Sequence, residues 1–240
     1  MKHVALRLLF LVAVAPALAA CDPSLTLIKV PDGCPEMPYR GPADYPAAFA
    51  DDVIDDFEDA IGPNDLSLSK VAGRNGSWVG VASPNAGTVF GENSTECVAN
   101  GKRSGHLTGN NLNMYGSNWN GVFVDPFGER SFDASAYSGI SFWVALGENA
   151  FPPFVMPIGL MTTDTSGPAL ICNPCGDYYR VPSAIPLTRS WTRHVIKFKD
   201  LAQSGMGAPQ TPLKKGQLVS IMIWPQNTYD IWIDDVRFEK

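Results

Sequence analysis

Between Asp51 and Lys240 the chain alternates short apolar runs with turn-rich stretches: "SWVGVAS", "GVFVDP", "GISFWVALG", "FVMPIGLMTT", "WTRHVIKFKDL", "LVSIMIWPQ" and "YDIWIDDVRF". Their length, their β-branched and aromatic content and their period of two predict strands. No stretch of a dozen residues carries a helical period, and "FKDLAQSG" offers one turn at most. There is no internal repeat. Gly and Pro, 42 of 240 residues, punctuate the runs instead of forming tracts. Strands this numerous bury their apolar faces by pairing sheets face to face, so the pattern predicts an all-β, two-sheet antiparallel β-sandwich.

The last run breaks its own rhythm. Ile231 and Ile233 share one parity, Val236 and Phe238 the other, and Asp234 and Asp235 lie between. One extra residue there would return all four apolar side chains to the core, which predicts a β-bulge at the two aspartates. A bulge re-aims side chains, and the question is where the carboxylates point.

The N-terminus follows a different logic. Lys2 and Arg7 precede the apolar run "LLFLVAVAPALAA", too short for a membrane span and typical of a secretory signal. "LAAC", ending at Cys21, resembles the bacterial lipobox. That resemblance implies a lipoprotein signal peptide over 1–20, lipidation of Cys21, anchoring in a lipid bilayer and a place in the bacterial cell envelope outside the cytoplasm. Residues 22–50 contain six prolines and no periodic apolar pattern, so 21–50 reads as a lipid-anchored, Pro-rich tether to a domain over 51–240. Removing 1–20 leaves 16 basic against 24 acidic residues, a formal net charge of −8. An acidic chain without basic clusters argues against nucleic acid as a partner. Cys34, Cys97, Cys172 and Cys175 allow three disulfide connectivities. "CNPC" lacks the βαβ setting of a redox motif and the second pair of a zinc site, so a structural disulfide between Cys172 and Cys175 is expected.

The first part of the domain is densely acidic: "DDVIDDFEDA" places six carboxylates in nine residues. Two charges about 5 Å apart cost roughly 3 kcal/mol at an effective dielectric near 20. If the first and last strands meet, Asp234 and Asp235 add to that cost. A hard cation would relieve it, and so would a solvated acidic edge.

"DDFEDA", "YSGISFWVALG", "LTRSWTRHVIKFKDL" and "IWIDDVRF" occur in an order and spacing that resemble a galactose-binding-like β-jelly roll of the carbohydrate-binding-module superfamily, nearest to family-eleven-like modules and related bacterial lipoprotein domains. The resemblance covers residues 51–240, and no single motif in it is diagnostic. It implies a jelly roll that binds a polysaccharide or other glycan, and a structural Ca²⁺ shared by Asp56, Glu58, Asp234 and Asp235.

Parity supplies the candidate platform. Trp143, Trp224 and Trp232 lie out of phase with the aliphatic residues beside them, where they either stack on sugar rings or are covered by loops or the tether. The stretch "HLTGNNLNMYGSNWNGVF", with Tyr115 and Trp119 among asparagines, and "CGDYYR", with Asp177 and Tyr178, are the candidate walls. His194 falls on the core phase of its strand and reads as a packing residue. Three classes follow: a non-catalytic glycan-binding lipoprotein, a structural or assembly lipoprotein that binds another protein, and a polysaccharide-active hydrolase or lyase. For the enzyme the sequence offers no G-x-S-x-G, H-E-x-x-H or E-x-D-x-E motif, and catalysis is left undecided.

Overall fold

A computed structural model describes residues 33–36, 52–58, 77–81, 87–111, 121–125, 131–152, 154–165, 177–205, 212–223 and 227–240. Among them the regular structure is β, with short 3-10 turns that include Phe198–Asp200 and Lys215–Gln217. The strands are β1 Val53–Asp55, β2 Ser77–Val81, β3 Gly87–Ser94, β4 Ser104–Asn111, β5 Gly121–Asp125, β6 Gly139–Leu146, β7 Val155–Met156, β8 Ile158–Thr162, β9 Tyr179–Arg180, β10 Ile185–Pro186, β11 Thr192–Lys197, β12 Leu218–Ile223 and β13 Asn227–Glu239. They form a jelly-roll β-sandwich. One sheet runs β11-β6-β13-β4-β3, with β1 also paired to β13; the other runs β2-β5-β12-β8-β9; β7 and β10 make a separate two-stranded piece. Every strand pair is antiparallel.

The core lies between the two large sheets. Ile140, Phe142 and Val144 of β6 meet Leu160 of β8 and Ile221 and Ile223 of β12, all at 1 % exposure. Each apolar run of the sequence forms a strand, because alternation assigns one face to this core. β3 and β4 carry no such run. Their sequences, "GTVFGENS" and "SGHLTGNN", are rich in Gly, Ser and Asn, and they are strands because β13 offers a long ladder for β4 to complete. Part of the expected Asn-rich loop is therefore strand: His106–Asn111 belongs to β4.

The bulge is present where the parity break placed it. Asp234 sits opposite Trp143 and Arg237 opposite Ser141, so β13 spends three steps where β6 spends two. Asp235 takes the left-handed conformation, φ 51°. Ile231, Ile233, Val236 and Phe238 all face the core. β1 pairs with β13 across the same irregularity, so the first and last strands do meet, and Lys240 Nζ lies 3.1 Å from Asp52 Oδ2.

The expected tether is not free of the domain throughout. At Gly33–Glu36 it lies against the sandwich: the Glu36 N–H donates to the Arg189 carbonyl and the Trp191 N–H donates to the Glu36 carbonyl, both at 2.9 Å.

Candidate functional site

The outer face of the six-stranded sheet carries a second apolar layer. Trp143 and Ala145 of β6, Trp232 of β13 and Trp191 before β11 pack there with Cys97 and Ala99, and Cys34 packs against them. Parity correctly takes Trp143 and Trp232 off the main core, but they form no open platform. They are 6 % and 4 % exposed beneath a cover made by the 95–103 loop and the Gly33–Glu36 segment. The two pieces of cover are joined by a Cys34–Cys97 disulfide. Cys172 and Cys175 lie outside the described residues.

Several groups hold this loop down. Asp234 Oδ2 accepts the N–H groups of Asn100 at 2.7 Å and Ala99 at 2.9 Å. Glu58 Oε1 accepts those of Lys102 at 2.7 Å and Arg103 at 3.0 Å. The Ser104 hydroxyl donates to the Cys97 carbonyl. Gly101, at φ +72°, passes so near Glu58 that a Cβ there would sit 2.1 Å from Oε1. At least part of the acidic excess at the chain ends thus serves as acceptor for an otherwise unpaired loop backbone.

The remaining predicted metal ligands are also engaged, with one opening. Asp56 Oδ1 accepts the Glu58 N–H at 3.3 Å. Asp235 Oδ1 takes Arg237 Nε at 2.6 Å and forms an ion pair with the same guanidinium. Asp234 Oδ1, on a fully buried residue, has no hydrogen-bond partner. Burial pushes this carboxyl well above the usual range, against the bonds from Asn100 and Ala99. Among the described residues no three acidic, His or Cys side chains converge on a metal-sized space. Of this donor set, Asp234 Oδ1 is the oxygen buried without a hydrogen-bond partner.

Beside the disulfide the cover leaves a cleft of about 470 Å³, rimmed by Thr95, Glu96, Glu148 and Asn149. Its floor is a stacked pair. His106 of β4 is paired with Trp232 of β13, and their rings lie 3.7 Å apart and within 2° of parallel. His106 Nε2 donates to Asp230 Oδ1 at 2.8 Å, while Asp230 Oδ2 accepts the backbone and side-chain amides of Asn149 at 3.0 and 3.3 Å. Burial pushes the Asp230 carboxyl upward, but His106 and Asn149 outweigh it and hold it below the ordinary value. A Cβ at Gly147 would lie 1.9 Å from Asp230 Oδ1, so any larger residue there would displace the carboxylate from His106. The cleft therefore presents a fixed imidazole, an amide and carboxylates around an aromatic floor. Sequence reasoning missed His106 and Asp230, whose meeting depends on the register of β4 and β13.

The other predicted residues are dispersed. Asp177, 1 % exposed, accepts the Ser204 N–H and hydroxyl and the Gly205 N–H at 2.5–2.8 Å, so it pins the 203–205 segment near β9 instead of facing a ligand. Tyr178 is half-buried, and burial raises its phenol pKa. Tyr115, Trp119 and Trp224 lie outside the described residues.

No family model and no curated protein matches the sequence. Solved structures do match. A family 11 carbohydrate-binding module of a cellulosomal cellulase of Clostridium thermocellum superposes with a TM-score of 0.51 at 14 % identity, covering 75 % of this chain and 96 % of that one. A family 30 module from another cellulosomal cellulase of the same organism gives 0.50 at 12 % identity, covering 75 % and 98 %. The likeness is one of fold. This chain has the jelly-roll architecture of carbohydrate-binding modules.

Proposed function

We propose that the protein is a non-catalytic glycan-binding lipoprotein of the bacterial envelope, held to a membrane through acylated Cys21 and facing away from the cytoplasm. The observation that carries the binding is the cleft beside Cys34–Cys97. Sugars need an apolar surface for their C–H faces and fixed donors and acceptors for their hydroxyls. The His106–Trp232 stack, Asn149 and the carboxylates of Glu96 and Glu148 supply both, and the fold shared with carbohydrate-binding modules supports the choice. The sequence supports the anchor through "LAAC". We extend the proposal to a structural calcium at the chain ends, shared by Asp56, Glu58, Asp234 and Asp235, with Asp234 Oδ1 as the buried oxygen still open to it.

The test is a glycan array probed with the full mature chain, followed by His106→Ala and Glu148→Gln variants on any hit. Loss of retention in folded variants supports the cleft. Product release from a retained glycan would transfer the protein to the enzyme class. A wild type that ignores every glycan would favour a protein-binding assembly role.

A further inference from the structure

With Val195 on β11, Phe151 and Phe154 are the large apolar side chains left exposed among the described residues, at 63 % and 42 %. Pro152 between them is exposed as well. One exposed phenylalanine is ordinary; two within four residues form a patch. Their backbone is not slack. The Phe151 N–H donates to the Thr228 carbonyl at 3.0 Å, and the Phe154 carbonyl accepts the Leu187 N–H at 2.8 Å. Both rings are thus carried outward on a pinned segment.

This segment lies where the chain enters the domain. Gly33 packs on the Glu148 carboxylate, which a Cβ at Gly33 would meet at 3.3 Å, and Glu148 is three residues from Phe151. From Cys21 to Gly33 the chain makes twelve residue steps, a reach of at most about 40 Å even when fully extended. A lipid on Cys21 therefore holds this end of the sandwich, where the chain enters, within about 40 Å of the bilayer. Tethering at such range raises the effective concentration of membrane at the loop to roughly the millimolar level.

From this we infer that Phe151 and Phe154 insert into the bilayer surface and set the domain on the membrane by the Leu146 end of β6. The inference rests on the lipid-anchor reading of Cys21. The contact is apolar, not electrostatic: the mature chain is acidic, and Arg189, the nearby cation, donates to the Glu148 carbonyl at 3.0 Å. Phenylalanine rings suit the boundary of headgroups and acyl chains because they bury apolar area there with no charge or polar group to desolvate.

The experiment places benzoylphenylalanine at position 151 or 154 of the full lipidated chain in its membrane. Exposed Ser135, in the loop at the other end of β6, is the control position. Light should couple positions 151 and 154 to phospholipid at least tenfold more than position 135. Coupling to a protein, equal labelling at 135, or no lipid adduct would overturn the inference. Cys21→Ser tests the anchor separately. If the wild type itself proves soluble, the loop is decided by sedimentation of the full chain with neutral phosphatidylcholine vesicles. Binding that is lost in Phe151→Ser/Phe154→Ser supports it, and no binding by the wild type ends it.

Discussion

Asp234 reaches from the bulge of β13 to the backbone of Asn100, whose N–H it accepts at 2.7 Å. The extra residue in β13 keeps Ile233 and Val236 in the core while Asp234, on the face of Trp232, meets the covering loop. Asp234→Ala would strand two N–H groups at the edge of a buried layer. We expect a loss of about 2–4 kcal/mol in denaturant unfolding. The 95–103 loop should also become the first site of proteolysis. A loss below about 0.5 kcal/mol, the ordinary scale of a surface change, would mean that Glu58 and the disulfide hold the loop unaided.

The proposed calcium makes a different demand on the same residue. A cation bound only by the folded chain adds about 2.7 kcal/mol at a hundredfold excess over its dissociation constant. Chelator should lower the wild-type melting temperature and leave Asp234→Asn unmoved. An unchanged wild-type melt, with no metal by elemental analysis, removes calcium from the account.

Cys34 and Cys97 are separated by 63 positions in sequence. Closing a loop of that length restricts the unfolded chain by about 4 kcal/mol on the chain-entropy estimate. Cys34→Ala/Cys97→Ala should approach that loss and shift tryptophan emission to the red as the cover over Trp143, Trp191 and Trp232 loosens. Unfolding at the wild-type midpoint would show that the cover adds nothing to stability.

Trp143 and Trp232 should behave as packing residues. Each alanine substitution is expected to cost about 3–5 kcal/mol, as for other buried aromatics. Trp232→Ala should also free His106 and weaken any ligand of the cleft. A mutant that keeps its melting temperature while losing glycan retention would restore the open-platform expectation for that tryptophan.

His194 faces Phe142 across 6.1 Å, and its Nε2 has no hydrogen-bond partner. Burial lowers its pKa below the ordinary imidazole value. The unfolded chain takes a proton near pH 6.5 while the folded chain resists it, so below that pH the unfolded state binds more protons. The stability contributed by neutral His194 is present above about pH 6.5 and is lost as the pH falls through the folded pKa. Urea midpoints between pH 7 and 5 should decline less steeply in His194→Gln than in wild type. Parallel curves would assign the decline to other groups.

The parts of this protein that were legible in the sequence are those fixed by near neighbours. Ile231, Ile233, Val236 and Phe238 reveal the bulge because a strand alternates its side chains with period two, and a missed beat shows in eight residues. The apolar runs reveal their strands, and hence a sandwich, for the same reason. Tertiary structure decided whatever depended on two distant segments meeting. β3 and β4 have no apolar signature, and the ladder offered by β13 makes them strands. Parity placed Trp143 and Trp232 off the core, yet their exposure was set by a loop more than forty residues away and a segment farther still. Cys34 meets Cys97 across 63 positions, and His106 finds both Trp232 and Asp230 only after the register of β4 against β13 is set. Periodicity is a local property of the backbone; burial, ion pairing and cross-linking belong to the surfaces that folding brings together.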